Sequence, residues 1–518
     1  FCIIGMQSVA LAIKTFPQSE NFSTTIHDKT RGSIFDQKGR ILASTVPINI
    51  LYADPKHIFN PEQVASEVLP FLPNLSKDML LKKLTKNSRF SELDRKLTPK
   101  RHYAILQLGI PGIYVKPSTI RIYPQGTEAA HIIGAVDRDN IGIAGIEKSQ
   151  NEKLAAGENV NLSIDTGLQT ILRKALKTQI DKFEAIGGAG LILNMKTGEI
   201  IAATSLPDFD PNQREKISDS NYINRVTKGV YEFGSVFKTF TLAAALDEKI
   251  ITAETEYVDL PKSLMCAGFP IREYDKKIPS NLTAEQILVR SGNIGSVRIA
   301  QQVGEEKFKS FLSKIGVLEK IDFDIEEVGK PIQFNWGKCP LATASFGHGI
   351  TTTLLQLAKA YSIVVNGGYQ IKPKLVKNNS NEKKEKILSQ DLSREILPIL
   401  RKIVSTKDGT ASLANVNGYE IGGKTGTAEK SADGEYSNKK INSFVSVFPT
   451  SKPKFVLAVM LDEPKINENY IYHYRDGSNI KYKGTPFNTA GWTTVEATGQ
   501  IVEKIGPILA TKYSEFNF

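Results

Sequence analysis

Two pairs of apolar, strand-forming runs lie far apart in this chain, and their separation limits the folds open to it. The first pair, AGLILNM at 189–195 and EIIAATS at 199–205, is joined by Lys196-Thr197-Gly198. The second, INSFVSVFP at 441–449 and KFVLAVMLDEP at 454–464, is joined by TSKP. Short strand-forming runs linked by a few Gly- or Pro-containing residues read as antiparallel hairpins. The stretch between the pairs reads mainly as helix, from Ser235 to about Ile315 and again from Leu354 to Val365. Strands at both ends with helices between predict an α+β fold, with one antiparallel sheet assembled from distant segments.

At 518 residues the chain exceeds what one hydrophobic core usually organises, so two or three domains are expected. From Arg31 to about Val160 it alternates strand-like runs (RILAST, NILYADP, GIYVKP) with helical ones (PEQVASEVLPFL, SKDMLLKKL) and carries no compact set of catalytic groups. That stretch reads as a structural or docking module. The pattern changes between Gly157 and Asp165, where DTGLQTILRKALKTQIDKF has helical apolar spacing at Leu168, Ile171, Leu172, Leu176 and Ile180.

The first residues, FCIIGMQSVALAIKTF, are mostly apolar up to Ile13. Thirteen helical residues reach about 20 Å of a roughly 30 Å hydrocarbon layer, so the reading is the outer part of a membrane helix that begins upstream. A cleaved signal, given Ala10-Leu11-Ala12, and a core helix are the alternatives. The expected organisation is a partial membrane anchor over 1–20, an N-terminal module over 21–160 and a catalytic domain over 161–518.

Composition removes several classes of function. With 41% hydrophobic and 23% charged residues the chain is globular. Its 66 Lys+Arg against 55 Asp+Glu leave a net charge of +11, but the cations are scattered and no basic run is interleaved with aromatics. Nucleic-acid binding is therefore not expected. The six histidines are dispersed and the three cysteines, Cys2, Cys266 and Cys339, lack metal-ligand spacing, so no metal is expected. Cys266 and Cys339 are expected as two unpaired thiols, with pairing open in an oxidising compartment.

The chemistry rests on three short motifs. YEFGSVFKTFTLAAALDEKI places Ser235 and Lys238 three apart at a helix start, where residues i and i+3 share a face and the lysine can touch the hydroxyl. Serine followed three later by lysine occurs five times here, so spacing alone decides nothing, but at Ser235 it precedes the apolar run Phe240–Leu246. LVRSGNIGSVRIAQQ then offers Ser291-Gly292-Asn293, and GGKTGTAEK offers Lys424-Thr425-Gly426. S-x-x-K, S-x-N and K-T-G in this order form the motif trio of penicillin-binding proteins and serine β-lactamases. Lys196-Thr197-Gly198, identical to the third motif, reads as a hairpin turn.

On these motifs the chain resembles class B penicillin-binding proteins of the FtsI division type. The likeness extends from RGSIFDQKGRILA at Arg31 to GPILA at Gly506, and includes YPQGTEAAHIIGAV at Tyr123 and ATASFGHGITTTLLQLAKAYSIVVNGG at Ala342. One departure is Phe233, where many members have proline. The resemblance implies a penicillin-binding transpeptidase domain of the serine β-lactamase-like α+β type, preceded by an elongated mixed α/β pedestal and a membrane helix. It further implies a D-Ala-D-Ala transpeptidase without cofactor that cross-links peptidoglycan stem peptides in the septum and is a target of β-lactams. Its location would be the bacterial inner membrane, with a periplasmic catalytic domain. Its partners would be a SEDS-family glycan polymerase and other division proteins.

In the implied mechanism Ser235 attacks the peptide carbonyl and Lys238 takes its proton. An ordinary lysine resists that role by about 4 to 5 kcal/mol at pH 7, and burial together with a second cation, Lys424, would lower the cost. Ser291 would relay a proton to the leaving amine, Asn293 would hold the donor amide, and Thr425 and Thr427 would meet the substrate carboxylate. The amides of Ser235 and Thr427 would form the oxyanion hole. Gly422, Gly423 and Gly426 are expected to leave a strand edge bare for the substrate backbone. His348 and His131 read as structural, and Phe334 and Trp336 as either core or substrate path. An elongation-type transpeptidase, a serine β-lactamase or carboxypeptidase and a non-catalytic scaffold are the competing readings.

Overall fold

The computed structural model describes residues 30–213, 223–332, 335–377, 384–432, 435–473, 481–483 and 488–512. The apolar stretch over 1–20 and Phe334 lie outside them. Among the described residues no helix is long and apolar enough to cross a membrane. Chain contacts divide the molecule into two compact units, each drawing on more than one stretch: residues up to 33 with 44–122 and 151–160, and residues 34–43 with 123–150 and 161 onward.

The first unit is built on β1 (Ile41–Ala53), α1 (Pro61–Val68), α2 (Lys77–Leu84), β2 (Ser91–Leu97), α3 (Pro99–Gln107) and β3 (Ile113–Ile122). RILAST and NILYADP, which read as separate runs, form one strand. β1 pairs antiparallel with β3 from Ser44 to Ala53, but with β2 only from Asn49 onward. Pro47 therefore lies where the strand has a neighbour on one side, a position that tolerates its missing N–H. Each helix starts on a side-chain cap, with Asn60 accepting from Gln63 N, Ser76 from Met79 N and Thr98 from Arg101 N. Leu51, Val64, Val68, Leu80, Leu84, Leu93 and Ile105 close a core between the helices and the sheet.

The second unit holds the sheet that the sequence implies. Helix α4 (Thr166–Lys182) leads into β4 (Gly187–Asn194) and β5 (Ile200–Leu206); α5 (Lys238–Asp247), the β6–β7 hairpin (Ser263–Cys266, Phe269–Arg272), α6 (Ala284–Val289), α7 (Asn293–Val303), α8 (Lys338–Ala344), α9 (Leu354–Val365) and α10 (Gln390–Ser405) follow. Strands β8 (Gly422–Ala432), β9 (Glu435–Phe448) and β10 (Phe455–Asp462) and helix α11 (Thr494–Lys512) complete it. The strand order is β8-β9-β10-β4-β5, all antiparallel, and β10 joins the two hairpins through pairs running from Phe455–Asn194 to Asp462–Gly187.

Every residue of β4 and β10 is buried. Helices α4 and α11 cover one face and α9 the other, while α10 packs against β8. A strand covered on both faces reads as a continuous apolar run, as these two do.

The first K-T-G copy is a turn. Asn194 Oδ1 accepts from Lys196 N at 2.9 Å and Thr197 N at 3.2 Å, Gly198 N donates to Asn194 O at 2.8 Å, and Gly198 has φ +76°.

The cysteine expectation is corrected: Cys266 and Cys339 form a disulfide with Cα atoms 5.5 Å apart. The two are 73 residues apart in sequence, a separation that carries no spacing signal, and tertiary contact alone brings them together.

Candidate active site

Ser235 sits in a single 3-10 turn, Gly234–Phe237, that runs directly into α5. Helix α5 is buried on all sides from Lys238 to Leu246, which explains its lack of amphipathic periodicity. Tyr361 of α9 pins its start, donating to Val236 O at 2.7 Å and contacting Thr239 Oγ1 at 2.9 Å. Phe233, the departure from the family pattern, is fully buried against Tyr231. The turn presents Ser235 half-buried while Lys238, one turn on, is 1% exposed.

Ser291 lies between α6 and α7 with φ +59°, a left-handed conformation that is costly outside glycine and concentrates at functional sites. Asn293 is the first residue of α7. Lys424, Thr425, Gly426 and Thr427 lie on β8, the unpaired edge of the sheet, in register with Val445, Phe444, Ser443 and Asn442 of β9.

These three distant segments meet at one hydroxyl. Lys238 Nζ donates to Ser291 O at 2.5 Å, Ser291 Oγ at 3.2 Å and Asn293 Oδ1 at 2.6 Å. Lys424 Nζ donates to Ser291 Oγ at 2.8 Å and to Thr425 O at 3.1 Å. The hydrogen bonds of Lys238 thus go to Ser291 and Asn293 rather than to Ser235, because a buried ammonium takes the acceptors that best replace water.

Burial pushes the Lys238 amine down to about 7, against a smaller opposing effect of the Glu273 carboxylate. Burial also pushes Lys424 well below its ordinary value, and repulsion from Lys238 adds to that. The two amines share a water-excluded site in which holding two protons is unfavourable.

The glycine expectation is corrected in part. The β8 edge is free, but its glycines are filled by the protein's own packing. A Cβ on Gly426 would lie 2.1 Å from Phe233 O, one on Gly423 2.4 Å from Val445 O, and one on Gly422 2.6 Å from Thr450 Cγ2. On the turn, a Cβ on Gly234, whose φ is +59°, would lie 2.8 Å from Thr427 O. The Ser235 turn and the K-T-G strand therefore pack backbone to backbone, which brings the Ser235 and Thr427 main chains together.

Thr425 Oγ1 lies 2.7 Å from Thr410 Oγ1, and Thr427 Oγ1 accepts from Ala490 N at 3.1 Å while keeping its own proton to donate. His348 is pushed down to about 4 by burial and by Lys238, so it is neutral at pH 7. His131 packs edge-on against Phe209, and Trp336 lies under Lys309 Nζ, 6.0 Å from its ring centre. Among the described residues no group of His, Cys, Asp and Glu could hold a metal.

A model of the penicillin-binding protein transpeptidase domain matches residues 188–479, more than half of the chain. The chain belongs to the penicillin-binding transpeptidase family. The penicillin-binding protein dimerisation domain matches residues 27–179, which makes this a class B penicillin-binding protein. It is 32% identical over 500 residues to the probable peptidoglycan D,D-transpeptidase FtsI of Caulobacter vibrioides, covering 93% of this chain and 82% of that one. To the peptidoglycan D,D-transpeptidase FtsI of Buchnera aphidicola it is 31% identical over 495 residues, covering 86% and 84%. The crystal structure of penicillin binding protein 2X from Streptococcus thermophilus shares its fold, with TM-score 0.73 at 22% identity over 93% of this chain and 80% of that one.

Several residues of this penicillin-binding protein's site carry no motif signal. Thr410 supports Thr425, and Glu232 accepts from Gly349 N at 3.1 Å in the SFGHGI loop. A Cβ on Gly347 of that loop would lie 2.1 Å from Gly234 O, so the loop buttresses the Ser235 turn. Glu273 accepts from the main chain of Asn293. Thr410, Glu273 and Gly347 lie 15, 20 and 113 residues from Thr425, Asn293 and Gly234.

Proposed function

We propose that this penicillin-binding protein is a septal peptidoglycan D,D-transpeptidase that works through an acyl-enzyme on Ser235. The observation that carries the reading is the convergence of Lys238 and Lys424 on Ser291, with Asn293 on Lys238, beside the Ser235 turn.

Ser235 Oγ attacks the carbonyl carbon between the two D-alanines of a donor stem peptide, and its proton passes to the neutral amine of Lys238. The developing oxyanion is met by the amides of Ser235 and Thr427, donors of a kind each worth about 2.7 to 4 kcal/mol. Ser291 Oγ, with an amine on either side, relays a proton to the leaving nitrogen, and D-alanine departs as the C–N bond breaks. Asn293 holds the donor amide, and Thr425 and Thr427 hold the terminal carboxylate at the free β8 edge beside Gly426. The amine of a second stem peptide then attacks the ester, forming the cross-link and restoring Ser235.

The finer assignments follow the resemblance. Residues 21–160 are assigned to the pedestal module and 161–518 to the catalytic domain, with 34–43 and 123–150 packing with the latter, and the apolar stretch over 1–20 belongs to the membrane helix that tethers the chain to the inner membrane. A SEDS-family glycan polymerase is the expected partner. The Cys266–Cys339 disulfide supports a periplasmic site, since such bonds persist in oxidising compartments.

Fluorescent penicillin tests the reading directly. The wild-type chain is expected to label stably and Ser235→Ala not at all; labelling that survives the substitution removes Ser235 as nucleophile. Rapid turnover of the acyl-enzyme would favour a β-lactamase instead. Depletion in cells should give filaments with unfinished septa, whereas rounded cells would indicate elongation.

A further inference from the structure

Asn293 meets Lys238 on one side and on the other is held by a hairpin that no motif includes. Its side-chain Nδ2 donates to Arg272 O at 2.6 Å, which leaves Oδ1 directed at Lys238 Nζ. The next residue, Glu273, accepts from Asn293 N at 2.6 Å through one carboxylate oxygen and from Ile294 N at 2.9 Å through the other. One dipeptide therefore holds both the backbone and the side chain of Asn293, and closes the first turn of the eleven-residue helix α7.

Beyond this grip the hairpin is held by buried Ile271, by the packing of β7 on α7 and by Tyr274, whose hydroxyl donates to Arg290 O at 3.4 Å. β6 and β7 form a two-stranded ribbon, paired from Ser263–Arg272 to Cys266–Phe269, and an isolated ribbon of this kind is marginal in water. Met265 is 67% exposed and Phe269 77% exposed, so its tip buries little apolar surface. The Cys266–Cys339 bond ties that tip to α8, which packs on α7.

We propose that Glu273 is a positioning residue of the acylation site, holding the Asn293 end of α7 and supplying a fixed negative charge to Lys238, and that the Cys266–Cys339 bond keeps it in place. The disulfide lies outside the reacting groups but belongs to the structure that orients them. Loss of the bond leaves the ribbon tip free and loosens the Arg272–Glu273 grip on Asn293. The inference rests on the proposed transpeptidase reading.

The groups that face Lys238 are Lys424 on β8, His348 after α8 and Glu273. His348 is uncharged near neutrality, so Glu273 is the negative member of this set. Its charge favours the protonated amine. Removing it moves the acid limb of acylation, where Lys238 must lose its proton, to lower pH. A carboxylate that merely capped α7 would change stability and leave that limb in place.

The experiment follows acylation of the full chain by fluorescent penicillin across about pH 5.5 to 9, for the wild type, Glu273→Gln and the double variant Cys266→Ala with Cys339→Ala. Glu273→Gln keeps an acceptor and the side-chain volume but loses the charge. Its acid limb is expected to move down by up to about one pH unit, with a plateau several-fold lower. The double variant, and wild type treated with dithiothreitol, are expected to acylate about tenfold more slowly with thermal unfolding still cooperative.

A limb unmoved in Glu273→Gln, or acylation within about twofold of wild type after the disulfide is lost, overturns the proposal. If Glu273→Gln does not fold, the dithiothreitol arm decides alone. Absence of labelling in Ser235→Ala, measured alongside, keeps failure of this inference separate from failure of the reading beneath it.

Discussion

The hydroxyl of Ser291 accepts a hydrogen bond from Lys424 Nζ at 2.8 Å, and Lys238 Nζ approaches the same oxygen at 3.2 Å. One oxygen thus links two buried amines, and a proton can pass from either to a leaving group through it. Ser291→Ala removes the link while leaving Ser235 and the strand edge intact. Acylation by fluorescent penicillin is expected to fall by about 10² to 10³, measured by stopped flow. A rate within tenfold of wild type would remove Ser291 from the relay.

The pH dependence of acylation follows from the burial of Lys238. In the proposed mechanism only the neutral amine accepts the Ser235 proton, and burial brings this group from its ordinary value of 10.5 to about 7. The acylation rate at subsaturating penicillin is therefore expected to rise about tenfold per unit below pH 7 and to level off above it. A limb near pH 10 would mean that the amine is not desolvated in solution. Stability has the same sign. Between about 7 and 10.5 the unfolded chain binds a proton that the folded site does not, so this group's contribution improves as pH rises through that window.

Gly426 is required by packing. Its added Cβ would lie 2.1 Å from Phe233 O and 2.6 Å from Ser443 Oγ, and the first of these is backbone that cannot swing aside. Gly426→Ala should separate β8 from the Ser235 turn. The expected cost is about 1 to 3 kcal/mol of stability, with loss of penicillin labelling larger than the stability change alone explains. Wild-type melting temperature with wild-type labelling would contradict the backbone contact.

Asp165 joins the two ends of the catalytic unit's helical face. It caps α4 through Gly167 N and Leu168 N, and its other oxygen meets Lys512 Nζ of α11 at 2.9 Å and Lys38 Nζ at 3.1 Å. Burial alone would push its carboxyl up, but the hydrogen bonds from Lys512 and Lys38 and the cap outweigh burial and hold it at about 2. Asp165→Ala is expected to cost about 1 to 2 kcal/mol at pH 7 in denaturant titration. The folded value is depressed, so this stabilisation is complete above the unfolded carboxyl value of about 3.9 and fades as pH falls toward 2. The gap between variant and wild type should therefore narrow in acid. A gap constant down to pH 2 would leave the cap, without the charge, as the source.

Much of this architecture was local enough to read directly. The apolar runs at 189–205 and 441–464 announced the hairpins, and their burial on both faces explains why they alternate so little. The order of Ser235, Ser291 and Lys424 selected three segments that the fold brings together, and the turn at Lys196-Thr197-Gly198 could be told from the strand at Lys424 by its neighbours alone. The strand through Pro47 was split in reading because a proline interrupts a local pattern, while a one-sided neighbour is a property of the sheet.

Residue type and order along the chain were sufficient for the fold class and for proposing Ser235 as nucleophile with Lys238 as its base, since these depend on side-chain chemistry and short-range periodicity. Tertiary structure alone decided that Lys238 meets Ser291 and Asn293, that Gly426 receives the Phe233 carbonyl, that Glu273 grips Asn293 and that Cys266 bonds Cys339. These contacts join segments from 20 to 193 residues apart, and burial is what gives them their force. A cation excluded from water, or a backbone with no room for one more carbon, exists only after the whole core has closed around it.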